Sequence, residues 1–379
     1  MIEKIAAPLS HYKKILKDFP RNMLFCFAYG SGAFKQKTDT TKNMLDLIFV
    51  VRNPNRWHAE NMKRNPQHYA QPLRFLGHKV VANVQETWGA KIYYNTLITS
   101  SEGRLIKYGV VSELSLIEDL LDWNYLYLAG RLHKPVQVLV EPDESSQLRT
   151  ALVQNLHSAV HAAMLLLPEH FTEIELFKVI AGLSYTGDFR MTFGEDKNKV
   201  SNIVVPQIEG FRELYASVLK QFDKYIEIPK TEAAAIMCHQ DTSPAARIFH
   251  LNHLPRKPQI KLVRAWSQGP RSKDTEDCLR AIAHDPDCSE LLEQSLNEIV
   301  WQSSVSQSLK GIVTAGLVKS IKYGGAKVMK MIISNRNQDP PSKPPRTEHG
   351  TVKLDKIDKM ENLVNTVAKK NSVEKDAQK

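Results

Sequence analysis

Cysteine is scarce in this chain. Its 379 residues contain four, Cys26, Cys238, Cys278 and Cys288, with no CxxC pair and no zinc-ligand spacing. That usage argues against a disulfide framework and fits a reducing compartment or free thiols. Cys288 stands in "HDPDC", where a turn capping a helix is a better reading than a metal site. Long apolar runs are also missing. No 18 consecutive apolar residues occur, so no membrane-spanning helix is expected. The first residues, "MIEKIAAPLSHYKKILKDF", have no sustained apolar core, and they mix Lys4, Lys13, Lys14 and Lys17 with Glu3 and Asp18. They read neither as a secretory signal nor as a transit peptide. Acidic residues are thin at one end only. The net charge is +10, and residues 301–379 hold 15 Lys and Arg against 7 Asp and Glu, a surplus of 8. The first 300 residues are therefore nearly neutral. A basic end on a neutral body points to an anionic surface, membrane or nucleic acid.

What is present is enough apolar residue for a sizeable core, 42% of the chain, and length for two or three domains. Strands are predicted at 24–29, 45–51, 91–98 and 104–111, all rich in Ile, Val, Phe and Tyr. Helices fall between them, around 56–70 and 114–122. The polar "EPDESS" at 141–146 marks a domain boundary. Beyond it, Leu148, Leu152, Leu156, Ala159, Ala163 and Leu166 recur at helical spacing until Pro168. Thr172 and Glu175 form a capping-box pattern for a helix ending near Gly182. A further helix is predicted over 207–222, and short helices over 243–300. The expected fold is α/β (α+β) in class. Residues 1–140 form one domain, 147–300 a helical one, 301–334 an amphipathic segment, and 335–379 a disordered basic tail.

The stretch "FAYGSGAFKQKTDTTKNMLDLIFVV" (27–51) carries the chemistry. A strand ending in Gly30-Ser31-Gly32 exposes backbone N–H groups with no side chain in the way, so it can approach a phosphate closely. Asp46, opening the next strand, can hold magnesium against the same phosphate. Strand, Gly-Ser turn, spacer and acid on a strand is the arrangement of the polymerase β-like nucleotidyltransferases. An ordinary turn beside a strand that starts with Asp fits the same residues. That superfamily usually has two acids flanking an apolar residue. Here the first position is Met44, so the second carboxylate comes from elsewhere or is absent.

"FAYGSGAF", "MLDLIFVV", the Trp57-His58 pair, "GAKIYYNTLI", "RLIKYGVVS", "LAGRLHKPV", "AGLSYTGDFRM", "GEDKNKV" and "KGIVTAG" follow one another in order. Together, over roughly residues 20–316, they closely resemble the mitochondrial CDP-diacylglycerol synthases, also called translocator assembly and maintenance proteins. The resemblance implies a phosphatidate cytidylyltransferase that uses CTP, phosphatidic acid and Mg²⁺ and feeds cardiolipin synthesis. It implies a nucleotidyltransferase domain, a winged-helix-like middle domain contributing to the cleft, and a membrane-contacting C-terminal segment. The family is peripheral, on the matrix side of the mitochondrial inner membrane.

Joining two polyanions calls for a metal and for Lys and Arg clamps, more than for a strong base. Asp46 is the expected first metal ligand. Asp188, after Gly187 in "GLSYTGDFRMTFGEDKNK", is the expected second carboxylate, with Glu195 and Asp196 as rivals. Arg190, Lys197 and Lys199 supply charge for phosphate. An Asp188–Arg190 pair in a surface turn is the competing reading. Lys107 is a candidate for the triphosphate, or a strand lysine facing solvent. Tyr93 and Tyr94 read as core, leaving Asn95 as the contact to base or ribose. Arg131 is a phosphate clamp candidate, with His133 beside it structural. In 308–333, Leu309, Ile312, Val313, Leu317 and Ile321 share one helical face and Lys319 and Lys322 the other, with Lys310 at the apolar edge. Such a helix suits an anionic membrane surface or docking on the protein's own body. Two other function classes remain: nucleotidyl transfer to RNA, and a non-enzymatic membrane or nucleic-acid scaffold. The near-neutral first 300 residues lack the basic, aromatic-lined groove that RNA requires, so no nucleic-acid partner is expected.

Overall fold

The computed structural model describes residues 9–34, 44–193, 198–229, 236–266 and 274–315. After a short helix α1 (Leu9–Ile15) come strand β1 (Phe25–Tyr29) and β2 (Leu45–Val51). Helices α2 (Pro54–Arg64) and α3 (Gln71–Thr87) lead to β3 (Ile92–Thr99) and β4 (Leu105–Ser112). Helices α4 (Glu113–Asp122) and α5 (Ala129–Leu132) precede β5 (Gln137–Val140). The sheet order is β3-β4-β2-β1-β5, with β2 and β4 parallel and the other neighbours antiparallel. The four predicted strands each fall within a residue of their observed limits. The edge strand β5 was not predicted. The helix expected at 56–70 starts at Pro54, where Asn53 caps it by accepting from Arg56 N–H, and ends at Arg64 before a single 3-10 turn at Pro66–His68; α3, from Gln71, was not predicted.

Strand alternation divides the sheet's faces. Phe25, Phe27, Ile48, Val50, Ile92, Tyr94 and Val111 face the larger core, which contains Leu116 and Leu120 of α4. Cys26, Ala28, Leu47, Phe49, Tyr108 and Val110 face a second core built with Tyr12, Phe19 and Trp57.

The larger core is filled from the far side by α6 (Gln147–Leu166) and α7 (Glu173–Gly182). The Thr172–Glu175 capping box at the start of α7 is present in both directions. Short helices α8 (Phe189–Phe193) and α9 (Lys199–Val204) and the longer α10 (Ile208–Leu219) follow. A second sheet of three short strands, β6 (His170–Thr172), β7 (Ile226–Glu227) and β8 (Met237–Gln240), is ordered β6-β8-β7. Helices α11 (Pro244–Asn252), α12 (Arg256–Trp266) and α13 (Thr275–His284) come next. The last is α14 (Cys288–Ala315), a single helix that runs through position 301. The chain is thus a mixed α/β fold with two sheets.

The start of the expected amphipathic segment docks on the body by a polar edge. Gln307, Lys310 and Thr314 are buried, while Ile312 and Val313 are exposed. Lys310 donates to the carbonyls of Gln85 (3.1 Å) and Trp88 (2.8 Å) at the end of α3. Leu317, Lys319, Ile321 and Lys322, and the tail at 335–379, lie outside the described residues.

Candidate active site

The Gly-Ser-Gly turn sits where the sequence reading requires it. Tyr29 pairs with Asp46 across β1 and β2, so the turn leaving β1 lies over the acid that opens β2. Gly30 has φ +75°, and a Cβ added there would stand 3.6 Å from Asp46 Oδ2. At Gly32 a Cβ would fall 2.3 Å from the Met44 carbonyl, so only glycine lets the turn close on β2. Ser31 is half-buried between them. The turn is also held by Arg104, which donates to the Gly32 carbonyl at 2.7 Å.

Lys107 pairs in register with Asp46, and its Nζ is 3.8 Å from Asp46 Oδ1. Both side chains keep some access to water, 15% for Lys107 and 23% for Asp46. The lysine does not simply face solvent, because its Nζ lies 4.5 Å from the centre of the Tyr94 ring. Tyr94 lies opposite Gly109 of β4, on the same face as Lys107. Asn95 falls on the other face, opposite Tyr108, and donates to the Tyr108 hydroxyl at 2.9 Å. Tyr94 is thus part of the larger core, as expected, with its ring beside Lys107, while Asn95 is held in the second core.

The loop 123–129 adds the next group. Asp119, buried in α4, accepts from the backbone N–H groups of Tyr125, Leu126, Leu128 and Ala129 at 2.8–3.1 Å. Burial pushes its carboxyl above the usual range although these four donors work the other way. Its hydrogen bonds hold a loop in which Trp123 and Leu126 have positive φ. That loop sets Tyr127 and starts α5, which carries Arg131. The Arg131 guanidinium lies over two rings, 4.6 Å from the centre of Tyr29 and 4.7 Å from that of Tyr127. Its Nε is buried without a hydrogen-bond partner among the described residues. Such an atom is costly unless an acceptor arrives. His133 is structural as expected, with Nε2 3.0 Å from Asn155 Oδ1.

Two distant stretches meet here because Gly130 has no side chain: a Cβ there would overlap Ser184 at 2.1 Å. Lys134 donates to the Gly130 carbonyl and to Ser184 Oγ (3.1 Å). Lys134 and Lys199 both lie over the Tyr185 ring, at 5.0 and 5.4 Å. Gly187 (φ +75°) packs on the backbone of Asn297, setting Asp188 at the foot of α8. Both oxygens of Asp188 are held by Arg190, through Nε at 3.0 and 3.1 Å and Nη2 at 2.5 Å. Its side chain is 3% exposed and takes part in the local pair with Arg190, the competing reading of the sequence. Arg190 in turn acts electrostatically on Tyr127. Lys197, Glu195 and Asp196 lie outside the described residues.

Tyr29, Tyr94, Tyr127 and Tyr185 thus interleave with Lys107, Arg131, Lys134, Arg190 and Lys199, a series that reaches Asp46 through Tyr29 and Lys107. Burial raises the Tyr127 phenol, but Arg131, then Arg190 and Lys107, outweigh it and bring it down to about 8. Burial, then Arg131 and Lys199, pulls the Lys134 ammonium down to about 7. This excess of positive charge suits a polyanion, and it corrects the expectation that the nearly neutral first 300 residues hold no basic, aromatic-lined cluster. Elsewhere, Glu169, His170 and His239 present ligand atoms within 4.8 Å of one another and can hold a metal ion. They are exposed, and two imidazoles suit a transition metal better than magnesium.

The comparisons with known proteins agree with this chemistry. Residues 12–330 match the family described as "Phosphatidate cytidylyltransferase, mitochondrial". Proteins of that name are similar to the chain over most of its length. The Bos taurus protein is 48% identical over 323 residues, 84% of this chain and 94% of the relative. The Danio rerio protein is 46% identical over 324 residues, again 84% and 94%. The Homo sapiens protein is 46% identical over 308 residues, 80% of this chain and 67% of the relative. With a glycine turn closed over Asp46, a cation-rich wall beside it and these matches, the chain belongs to the mitochondrial phosphatidate cytidylyltransferase family.

Proposed function

We propose that the protein transfers a cytidylyl group from CTP to phosphatidic acid, forming CDP-diacylglycerol and pyrophosphate for cardiolipin synthesis. The observation that carries this reading is the Asp46 carboxylate, set between the bare Gly30 turn and the Lys107–Arg131 wall. A lipid phosphate oxygen bonds to the α-phosphorus of CTP as the bond from that phosphorus to the oxygen it shares with the β-phosphorus breaks, and pyrophosphate leaves. The second pKa of a phosphomonoester is about 6, so the nucleophile is already ionised near neutral pH. The protein's task is to hold two polyanions in line and offset their charge. Lys107 and Arg131 are placed for the triphosphate, and the unpartnered Arg131 Nε gains an acceptor when it binds. The backbone of Gly30, Ser31 and Gly32 lets the phosphates approach Asp46.

Asp46 would hold Mg²⁺, since one carboxylate with substrate oxygens is a usual magnesium set and Gly30 leaves space beside it. Magnesium, when bound, neutralises phosphate charge and polarises the reacting phosphoryl group. Asp188 serves the site through Arg190. Asp188→Ala and Arg190→Ala should each lower turnover on the order of 10²-fold, with the double variant little worse than either. If Asp188→Ala alone raises the magnesium requirement, Asp188 is a direct ligand instead.

The five-stranded sheet supports a polymerase β-like nucleotidyltransferase domain over 1–140. The three-stranded sheet beside α7 and α10 supports a winged-helix-like domain over 147–300. Within the expected segment 301–334, the part to Ala315 docks on the body, so the residues after it would contact the membrane, and 335–379 form a basic tail. No helix among the described residues is long and apolar enough to cross a membrane. With the mitochondrial family, this supports a peripheral enzyme on the matrix side of the inner membrane. The test is purified full-length protein given CTP with phosphatidic acid or with RNA. CDP-diacylglycerol is the expected product. Labelled RNA without labelled lipid overturns the reading.

A pH effect follows. At pH 8 the Lys134 amine is mostly neutral and the Tyr127 phenol partly ionised. A bound triphosphate raises the proton affinity of both, so CTP binding takes protons up. Calorimetry in buffers of different ionisation enthalpy should show uptake at pH 8 that fades towards pH 6. Lys134→Met should reduce it, and proton release at pH 8 would contradict the placement.

A further inference from the structure

Phe75, at 85%, is the most exposed large apolar side chain among the described residues, and Leu76 beside it is 60% exposed. They stand where α3 breaks. Gly77 has φ 82° and ψ 173°, and a Cβ there would meet nothing within 4 Å. Packing around Gly77 therefore does not force the break. The tip is nonetheless held in place from both sides. Leu73 before it and Val81 after it are buried in one cluster with Tyr69 and Tyr93. His78 Nδ1 lies 2.7 Å from Asn55 Oδ1, at the start of α2. Single exposed apolar residues are common, but two adjacent ones projected from anchored flanks mark a contact surface.

The charge around the tip narrows the partner. Residues 61–85 contain Lys63, Arg64, Arg74 and Lys79 and no Asp or Glu. All four cations are exposed, and Arg64 alone is seen paired, to Glu60 at 2.8 Å. An apolar tip whose flanking segment carries cations and no acids complements a surface that is anionic outside and hydrocarbon beneath. We infer that Arg74-Phe75-Leu76-Gly77 inserts into the interface of an anionic bilayer, with Arg74 and Lys79 against lipid phosphates. Phe75 and Leu76 leave water for the acyl boundary, and the cations add attraction that salt weakens. The inference rests on the proposed function in one respect: it assumes that the lipid substrate is met at a membrane. With the membrane contact proposed for the chain after Ala315, it gives two modest attachments, whose joint binding exceeds either alone.

The four native cysteines are all buried. In Leu76→Cys, an environment-sensitive thiol probe therefore reports on the tip in the full-length protein. With vesicles of phosphatidylcholine and phosphatidic acid, its emission should shift to the blue and be quenched by brominated acyl chains. Phosphatidylcholine alone should give much less. Unchanged emission on the anionic vesicles overturns the inference and points to a protein partner for the tip. The double variant Phe75→Ser, Leu76→Ser should turn over vesicle-borne phosphatidic acid at least about tenfold more slowly at limiting lipid. Its rate on monomeric short-chain phosphatidic acid should match the unsubstituted protein. Equal loss on both substrates, or on neither, also counts against insertion. If the unsubstituted protein turns over neither lipid, the proposed reaction fails, while the probe still decides insertion.

Discussion

Asp46→Asn should lower cytidylyl transfer by on the order of 10³-fold or more and leave the protein folded. Asparagine keeps the shape of the side chain beside Gly30, where a Cβ would lie 3.6 Å from the present oxygen. It removes the charge that would hold magnesium. The stability change should be small, because the Asp46–Lys107 pair is loose at 3.8 Å and both groups touch water. Binding and turnover should separate. The site loses a negative charge from among Lys107, Arg131 and Arg190, so CTP measured without magnesium should bind at least as tightly as before. What should vanish is the gain in rate on adding magnesium. Full turnover of the purified variant at ordinary magnesium would remove Asp46 from the mechanism. Loss of CTP binding in parallel with rate would make it a folding or binding residue instead.

The strands that carry this site could be read from the sequence because each is a short run of β-branched and aromatic residues bounded by turn formers. Asp46 and the glycine turn were legible for the same reason. Which side chains share a face was not, because facing depends on how the strands pair, both β2 with β4 and β3 with β4. Tyr94 and Asn95 show the consequence: the register with β4 sends Tyr94 to Lys107 and Asn95 to Tyr108. The tyrosine is core as its type suggests, and only the pairing shows that its ring also reaches Lys107 and that the asparagine is turned away from the site. Asp119 was missed because four backbone donors to one carboxylate leave no pattern of residue types. Lys134 was missed because its burial comes from Ser184 and Ala181, some 50 positions on. The strands of the second sheet and β5 are four residues or fewer, too short for alternation to show.

The end of α14 offers the second large effect. Sequence periodicity places residues from 308 onward in a membrane segment, and a cut after Ser306 would then spare the nucleotide site. The structure makes that cut destructive. Gln307 accepts from Ala90 N–H at 3.0 Å and donates to the Ile92 carbonyl at 3.2 Å, while Lys310 holds the carbonyls of Gln85 and Trp88. These contacts close the end of α3 and the entry to β3, the strand that carries Tyr94. Gly89, at φ +61°, is part of the same joint, since a Cβ there would fall 2.6 Å from Gln307 Oε1. Each buried group left unpaired costs about 1–3 kcal/mol. Truncation after Ser306 should therefore lower the Tm by about 10 °C and reduce CTP binding as β3 loosens. Truncation after Ala315 keeps every one of these contacts while removing 14 of the 15 Lys and Arg beyond residue 300. That shorter protein should melt with the full chain and bind CTP equally well, but float less with anionic vesicles. If the two truncated proteins melt alike, the last turns of α14 are not a strut for the active-site sheet.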